Sequence, residues 1–265
     1  MQMEEFQGGK ALIYKSNTIF ERRRRILSEA RKLISEAGFE GFSVRELCAR
    51  AGIAQKTLYN AFGNKDNVIA LAIRQYMSDF NDRTPLRFDP HTLEGRLERT
   101  IKVHSRNIQV RPYTTAIMAV YNSPSAERPV REAIRDISET SLRPFVEALT
   151  ADGQLAPGVS AERFTYLLTT ESYAILSDWC LGDLPDDQLV DRISEAFLLL
   201  VFGCTIGKTQ QEAQRWLEDL RAARPGWLAM RKMAEVAPAE LRAATRRMEA
   251  PPRPAKTART SRRDA

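Results

Sequence analysis

The stretch from Ser43 to Asn64 constrains this chain more than any other, because it holds two short helices with almost no chain between them. Ser43-Val44-Arg45-Glu46 has the form of a capping box, in which the serine hydroxyl satisfies an amide of the first turn, and predicts a helix to Arg50. Ala51-Gly52-Ile53 then leaves room only for a tight turn, and a second helix of about Gln55 to Phe62 stops at Gly63. Two such helices must cross steeply and bury a shared underside, for which Leu47, Ala51, Ile53, Leu58 and Phe62 are available. Cys48 and Ala51 are small enough for the close approach, and Gly52 can take a positive φ. This is the pattern of a helix-turn-helix.

The flanks fit. Thr18-Ile19-Phe20-Glu21 reads as another capping box, opening a helix whose Ile26, Leu33 and Ile34 can cover the two short helices before Gly38 ends it. Residues 1–17 are expected to form a flexible N-terminal arm. Asn64 caps a longer helix through Met77, with Asp66 in its favourable first turn. The outward face of the second short helix presents Gln55, Lys56, Thr57, Tyr59 and Asn60, donors and acceptors suited to base edges and phosphates. Lys65 follows where helix amides point outward, and Arg45 can reach a base edge or the backbone. Packing for Tyr59 and plain solvation for Lys65 remain open, and Arg22–Arg25 fit a solvated helix start as well as a DNA-flanking patch.

The run Phe42-Ser43-Val44-Arg45-Glu46-Leu47-Cys48-Ala49-Arg50-Ala51-Gly52-Ile53-Ala54-Gln55-Lys56-Thr57-Leu58-Tyr59-Asn60-Ala61-Phe62, with Gly63-Asn64-Lys65-Asp66 after it, resembles the signature of TetR/AcrR transcriptional regulators. The resemblance covers about sixty residues, and glycines, caps and aromatics fall in register. It departs at Leu47-Cys48, where the family often has Ile-Ala, and at Ala54, where it often has Ser. The second change removes a hydroxyl suited to capping or phosphate contact. The resemblance implies phosphate contacts from Thr57, Tyr59 and Lys65, base or groove contacts from Gln55, Lys56 and Asn60, and either from Arg45. It also implies a second helical domain with a ligand cavity and a dimer interface made by the last two core helices.

The rest of the chain carries helical periodicity at about 92–109, 112–122, 126–150, 160–181, 186–206, 208–223 and 227–249, with no period-2 pattern of strands. The expected fold class is all-α, a three-helix helix-turn-helix DNA-binding head joined to a larger helical ligand-binding and dimerisation domain. Pro85 and Pro90 place the head at 18–81 and the second domain at 82–222. A C-terminal helical extension and basic disordered tail occupy 223–265. Pro144 should kink or split its helix. In the last fifteen residues Arg253, Lys256, Arg259, Arg262 and Arg263 are opposed only by Asp264.

Composition agrees: 265 residues, 43% hydrophobic, with 40 basic against 34 acidic side chains, suit a globular, mildly basic protein. Cys48, Cys180 and Cys204 are widely spaced and odd in number, so no disulfide framework is expected; His91 and His104 have no partners at helical spacing, so no metal is. No cofactor motif, glycine-rich phosphate loop or nucleophile elbow occurs, which argues against an enzyme. Ala196–Cys204 is too short to span a membrane and no apolar leader is visible, so a cytoplasmic location is expected. Tyr113, Met118, Tyr121, Phe145, Tyr166, Tyr173 and Trp179 are candidates for a ligand pocket, with ordinary core or interface packing the commoner role for each, and Glu171 and Asp178 can meet a cationic ligand, solvent or a partner's arginine. The expectation is a homodimer on a near-palindromic operator, released by a small-molecule effector. The alternative is a non-sensing architectural or partner-recruiting DNA binder, kept open by the basic tail.

Overall fold

Eleven helices follow one another in the computed structural model, which describes residues 8–38, 40–124, 126 and 128–235. They are α1 (Gly8–Ala37), α2 (Val44–Ala51), α3 (Gln55–Phe62), α4 (Lys65–Arg83), α5 (Leu93–Gln109), α6 (Arg111–Asn122), α7 (Arg128–Ala151), α8 (Ala161–Leu181), α9 (Asp186–Cys204), α10 (Gly207–Arg221) and α11 (Pro225–Ala234). There is no strand among the described residues; one isolated bridge, Leu155 to Thr205, fastens the α7–α8 loop to the end of α9. The fold is all-α, with an N-terminal helix-turn-helix head and a helical C-terminal body.

Four elements differ from their sequence expectation. Helix α1 begins at Gly8, so residues 8–17 are helical rather than a loose arm, and Thr18 lies inside the helix instead of capping it. The stretch 10–17 holds good helix formers and no proline, so nothing stops the helix before Gly9 and Gly8. Helix α4 runs on to Arg83, past the expected end at Met77. Helix α7 continues through Pro144 without a break. Helix α11 starts at Pro225, which is preorganised for a first helical turn, and ends at Ala234; the remainder of the expected 227–249 helix and the basic tail lie outside the described residues.

The turn of the head has the expected geometry. Gly52 sits at φ 63°, ψ 43°, and the Ile53 amide donates to the Cys48 carbonyl at 3.0 Å. Ser43 Oγ accepts from the Glu46 amide at 3.3 Å, but the Glu46 carboxylate turns to Arg50 at 2.8 Å rather than back to Ser43, so half of the capping box forms. Ala54 precedes the first turn of α3 as its N-cap, and no side chain caps the amides of that turn. Beneath the turn, Leu47, Cys48, Ala51, Leu58 and Phe62 are buried against Ile26, Ala30, Leu33 and Ile34 of α1. The same core runs on without interruption through Val68, Ile69 and Ile73 of α4 to Val120 of α6 and Val130 and Ile134 of α7.

The chain between α4 and α5 is held tightly. Glu98, fully buried on α5, accepts from the amides of Arg87 and Phe88 and pairs with Lys102 at 2.7 Å, while Lys102 also donates to the Pro85 carbonyl at 2.7 Å. Gly95 is required there, because a Cβ would lie 2.0 Å from the Asp89 carbonyl oxygen. At the other end of the chain, Trp227, Met230 and Ala234 of α11 bury themselves in the core built by Leu93, Leu97 and Leu198, and Arg231 pairs with Asp191 of α9 at 2.7 Å. The C-terminal helices therefore pack on the body.

Two stability predictions follow from these contacts. Lys102→Met leaves the Glu98 carboxylate buried without its cation and should cost about 3–5 kcal/mol in denaturant unfolding. Ala54→Ser supplies the missing hydroxyl cap and should stabilise the protein by about 1 kcal/mol; an unchanged midpoint would show that the α3 amides are already satisfied.

Candidate functional site

Two sites emerge: the outer surface of the head, and a cavity in the body. In the head, burial of Leu58 and Phe62 fixes the rotation of α3 and turns the opposite side of that helix outward. Gln55, Lys56, Tyr59 and Asn60 are exposed, as is Arg45 on α2, and Thr57 is half-buried at the start of α3. Tyr59 shows 44% of its surface, turned about 100° around the helix from the fully buried Leu58. Lys65, half-buried, holds its ammonium 5.7 Å from the centre of the Phe42 ring, beside the Asn64 cap of α4. The structure thus brings all seven residues picked for DNA contact onto the head, the exposed ones flanking the turn.

Two arginines adjust that picture. Arg50 is tied to Glu46 and Glu36 at 2.8 and 2.7 Å, which raises its pKa and occupies its charge. Arg23 lies with its guanidinium 4.9 Å from the Phe62 ring centre, which sets the Arg22–Arg25 cluster alongside the end of α3. The steric reach of that cluster was not readable from its position in the chain.

The cavity, about 90 Å³, lies between α4, α5, α6, α7 and α8. Tyr113, Met118 and Tyr173 line it; Tyr121, Phe145 and Trp179 do not. Tyr121 stands behind Tyr173, edge to face at 4.8 Å. Phe145 is buried in the lower core against Phe197, their ring centres 6.1 Å apart. Trp179 is a corner post: its indole N–H donates to Asp186 at 2.8 Å, Arg111 donates to its carbonyl and lies over its ring, and it is wholly buried. Tyr166 is exposed, with Arg135 over its ring. Glu171 and Asp178 are exposed too.

What sequence reasoning missed is the polar half of the wall. Arg96, His104, Arg106 and Asn107 of α5 face the cavity, together with Ser138 and Ser141 of α7 and Ser172 of α8. Arg96 donates to Ser141 Oγ at 2.9 Å, and its Nε is buried with no partner. Arg106 is buried with its guanidinium 4.0 Å from the Tyr76 ring centre and 4.7 Å from that of Phe80. Burial, with Arg99 nearby, pulls the pKa of Arg96 down to about 9, and burial lowers Arg106 to about 10, so both keep their charge at neutral pH. Burial, with the Arg96 charge, pushes His104 down to about 3, so its imidazole is neutral. The Tyr113 hydroxyl is buried without a partner, and burial raises its pKa.

Neither site holds the makings of a metal centre. Among the described residues no three His, Cys, Asp or Glu side chains gather; His91 is bonded to Asp89, and the three cysteines are free thiols. No helix among them is long and apolar enough to cross a membrane.

The likenesses to known proteins reach from the head across most of the chain. The family model described as bacterial regulatory proteins, tetR family, matches residues 26–72, from the second half of α1 into α4. The transcriptional regulator HbdR of Aromatoleum sp. (strain CIB) is 25% identical over 218 residues, 79% of this chain and 93% of that protein. The DNA-binding transcriptional repressor TetR of Mycobacteroides abscessus is 26% identical over 181 residues, 66% of this chain and 91% of its own. In fold, the crystal structure of the tetR regulator TylP from Streptomyces fradiae superposes with a TM-score of 0.57 at 17% identity, covering 83% of this chain and 92% of that one. Residues 26–72 match the helix-turn-helix, DNA-binding head of the tetR family of transcriptional regulators, and the chain as a whole is similar in sequence and in fold to regulators of that family.

Proposed function

We propose that this regulator is a ligand-responsive repressor that binds a near-palindromic operator as a homodimer. The observation that carries this reading is α4. It starts at Lys65 on the head surface, buries Val68, Ile69 and Ile73 in the common core, and lines the cavity with Ile73, Tyr76 and Met77. A ligand that favours one placement of those three side chains also favours one placement of the head, and it lowers DNA affinity by as much as its own affinity differs between the two arrangements. The cavity lies between body helices and α4, which runs on to the head, a position suited to an effector.

Dimerisation is supported by α8 and α9. Each leaves apolar side chains exposed, Tyr166 and Leu181 on α8, and Leu199 and Phe202 one turn apart on α9 with Ile206 just past its end, while burying its other face in the body. Pairing of this face with its copy about a two-fold axis would cover it and set two α3 helices in successive major grooves, roughly 35 Å apart. The contacts on DNA are Thr57, Tyr59 and Lys65 to phosphates, Gln55, Lys56 and Asn60 to the groove, and Arg45 to either.

Gel shift on the DNA upstream of the gene, with unrelated DNA at matched salt, checks the DNA contacts. Tyr59→Ala and Lys65→Ala should both weaken specific binding, and Lys65→Ala should reduce the slope of log affinity against log salt by about one per protomer. Equal binding to both DNAs, or binding untouched by either variant, would contradict the reading. Phe202→Glu should convert the dimer to monomer in sedimentation without loss of helical signal; a persistent dimer would place the interface elsewhere.

A further inference from the structure

The cavity wall has an unusual electrical balance. It contains two guanidinium groups, Arg96 and Arg106, and no carboxylate. Among the described residues no ion pair reaches either of them: Arg96 bonds only to Ser141, and Arg106 is held by the faces of Tyr76 and Phe80. Cationic groups also repel them, Arg99 acting on Arg96 and Arg31 on Arg106. Glu171 stands on the wall of a small adjoining pocket that Arg96 also lines, but it is exposed and makes no ion pair with Arg96. His104 is neutral and adds no charge of either sign.

Buried cations are ordinarily paired, because an isolated charge loses its hydration and gains nothing in return. This same helix shows the rule kept: Lys102 is paired with Glu98 one turn from the unpaired groups. Arg96 and Arg106 depart from it in the same cavity. The hydroxyls of Ser138, Ser141 and Ser172 gather at the Arg96 side, and Asn107, Thr114 and the unpartnered Tyr113 hydroxyl contribute further polar atoms. The remaining wall, with Ile73, Met77, Ile117, Met118, Ile134 and Leu176, is apolar. A fork of donors among hydroxyls suits a carboxylate, which Arg can hold by two parallel bonds, and the apolar wall suits a hydrocarbon body. A volume of about 90 Å³ has room for roughly six water-sized groups at about 15 Å³ each.

Resting on the effector reading above, we propose that the cavity binds a small organic monocarboxylate, with its carboxylate on Arg96 and the neighbouring serine hydroxyls and its short hydrocarbon body against the apolar wall. The charge of Arg106 adds to the positive potential, and no protein carboxylate competes. A neutral ligand of the same shape leaves both cations unpaired, so the site discriminates by charge.

The test uses the full chain and the acids butanoate, pentanoate and hexanoate beside their amides, by thermal shift and calorimetry. The acids should raise the melting temperature in a concentration-dependent way, with the amides about tenfold weaker or worse. Arg96→Met should lose the preference for acid over amide and should melt no lower than the parent in the absence of ligand, since it removes a half-buried charge that has no ion pair; a purely structural arginine would lower the melt. Arg96→Lys should keep part of the preference. Equal binding of acid and amide, unchanged acid binding by Arg96→Met, or no binding of any of the three acids at about 10 mM would overturn the proposal. Operator affinity, measured with pentanoate against chloride at matched ionic strength, separates the two readings. Pentanoate bound with operator affinity unchanged supports the site and contradicts the effector role. A neutral amide that binds as well as its acid and releases DNA contradicts the carboxylate site and supports the effector role.

Discussion

The structure depends on the packing of α4 against α1 on one side and against α6 and α7 on the other. Its 19 residues make a rod of about 28 Å that begins at the head surface and ends beyond the cavity. Val68, Ile69, Ala72 and Ile73 are sealed into a core that also contains Leu47 and Leu58 of the helix-turn-helix and Val120, Val130 and Ile134 of the body. The head therefore shares its core with the α4, α6 and α7 part of the body. Close-packed interiors transmit small displacements because they cannot absorb them, and here the displaced element carries Lys65 at one end and cavity-lining Tyr76 and Met77 at the other. Around Tyr76 the coupling is tightest: Arg31 of α1 and Arg106 of α5 lie over its ring, and Tyr113 of α6 meets it edge-on at 4.8 Å.

Helix α5 shows two ways of burying charge. Glu98 and Lys102 satisfy one another and fasten the 84–90 segment, so their charge serves the fold. Arg96 and Arg106 have no such partner and face a space. Groups that a fold tolerates at a cost in stability concentrate where function uses them, and the contrast within a single helix separates structural charge from charge available to a ligand.

The head was legible in the sequence and most of the cavity was not, for a physical reason. Caps, turns and the apolar underside of α2 and α3 are set by residues a few positions apart, so Ser43, Gly52, Leu58 and Phe62 announce themselves. The exposure of Gln55, Lys56, Tyr59 and Asn60 follows directly. Helix α5 was also found, but its Arg96, Glu98, Lys102 and Arg106 look like a solvated face. Glu98, Lys102 and Arg106 are buried and Arg96 is half-buried because α4, α7, α9 and α11, from 20 to over 100 residues away, close around them. The Glu98–Lys102 spacing was a signal of pairing but not of depth. Aromatic content marks a cavity poorly: Tyr113 and Tyr173 line this one, but Trp179 and Phe145 fill solid cores. At α1 the Thr18–Glu21 motif matched a cap inside a sequence that had no reason to stop being helical upstream.

Filling the cavity without a ligand tests most directly whether its contents govern the head. Ser138→Phe introduces a ring from α7 into the space beside α4, and its operator affinity can be compared with the parent by fluorescence anisotropy, with the thermal melt confirming the fold. If α4 carries occupancy of the cavity to the DNA face, affinity should fall about tenfold, within the usual range of allosteric coupling. A folded Ser138→Phe protein that binds operator as tightly as the parent would contradict the account.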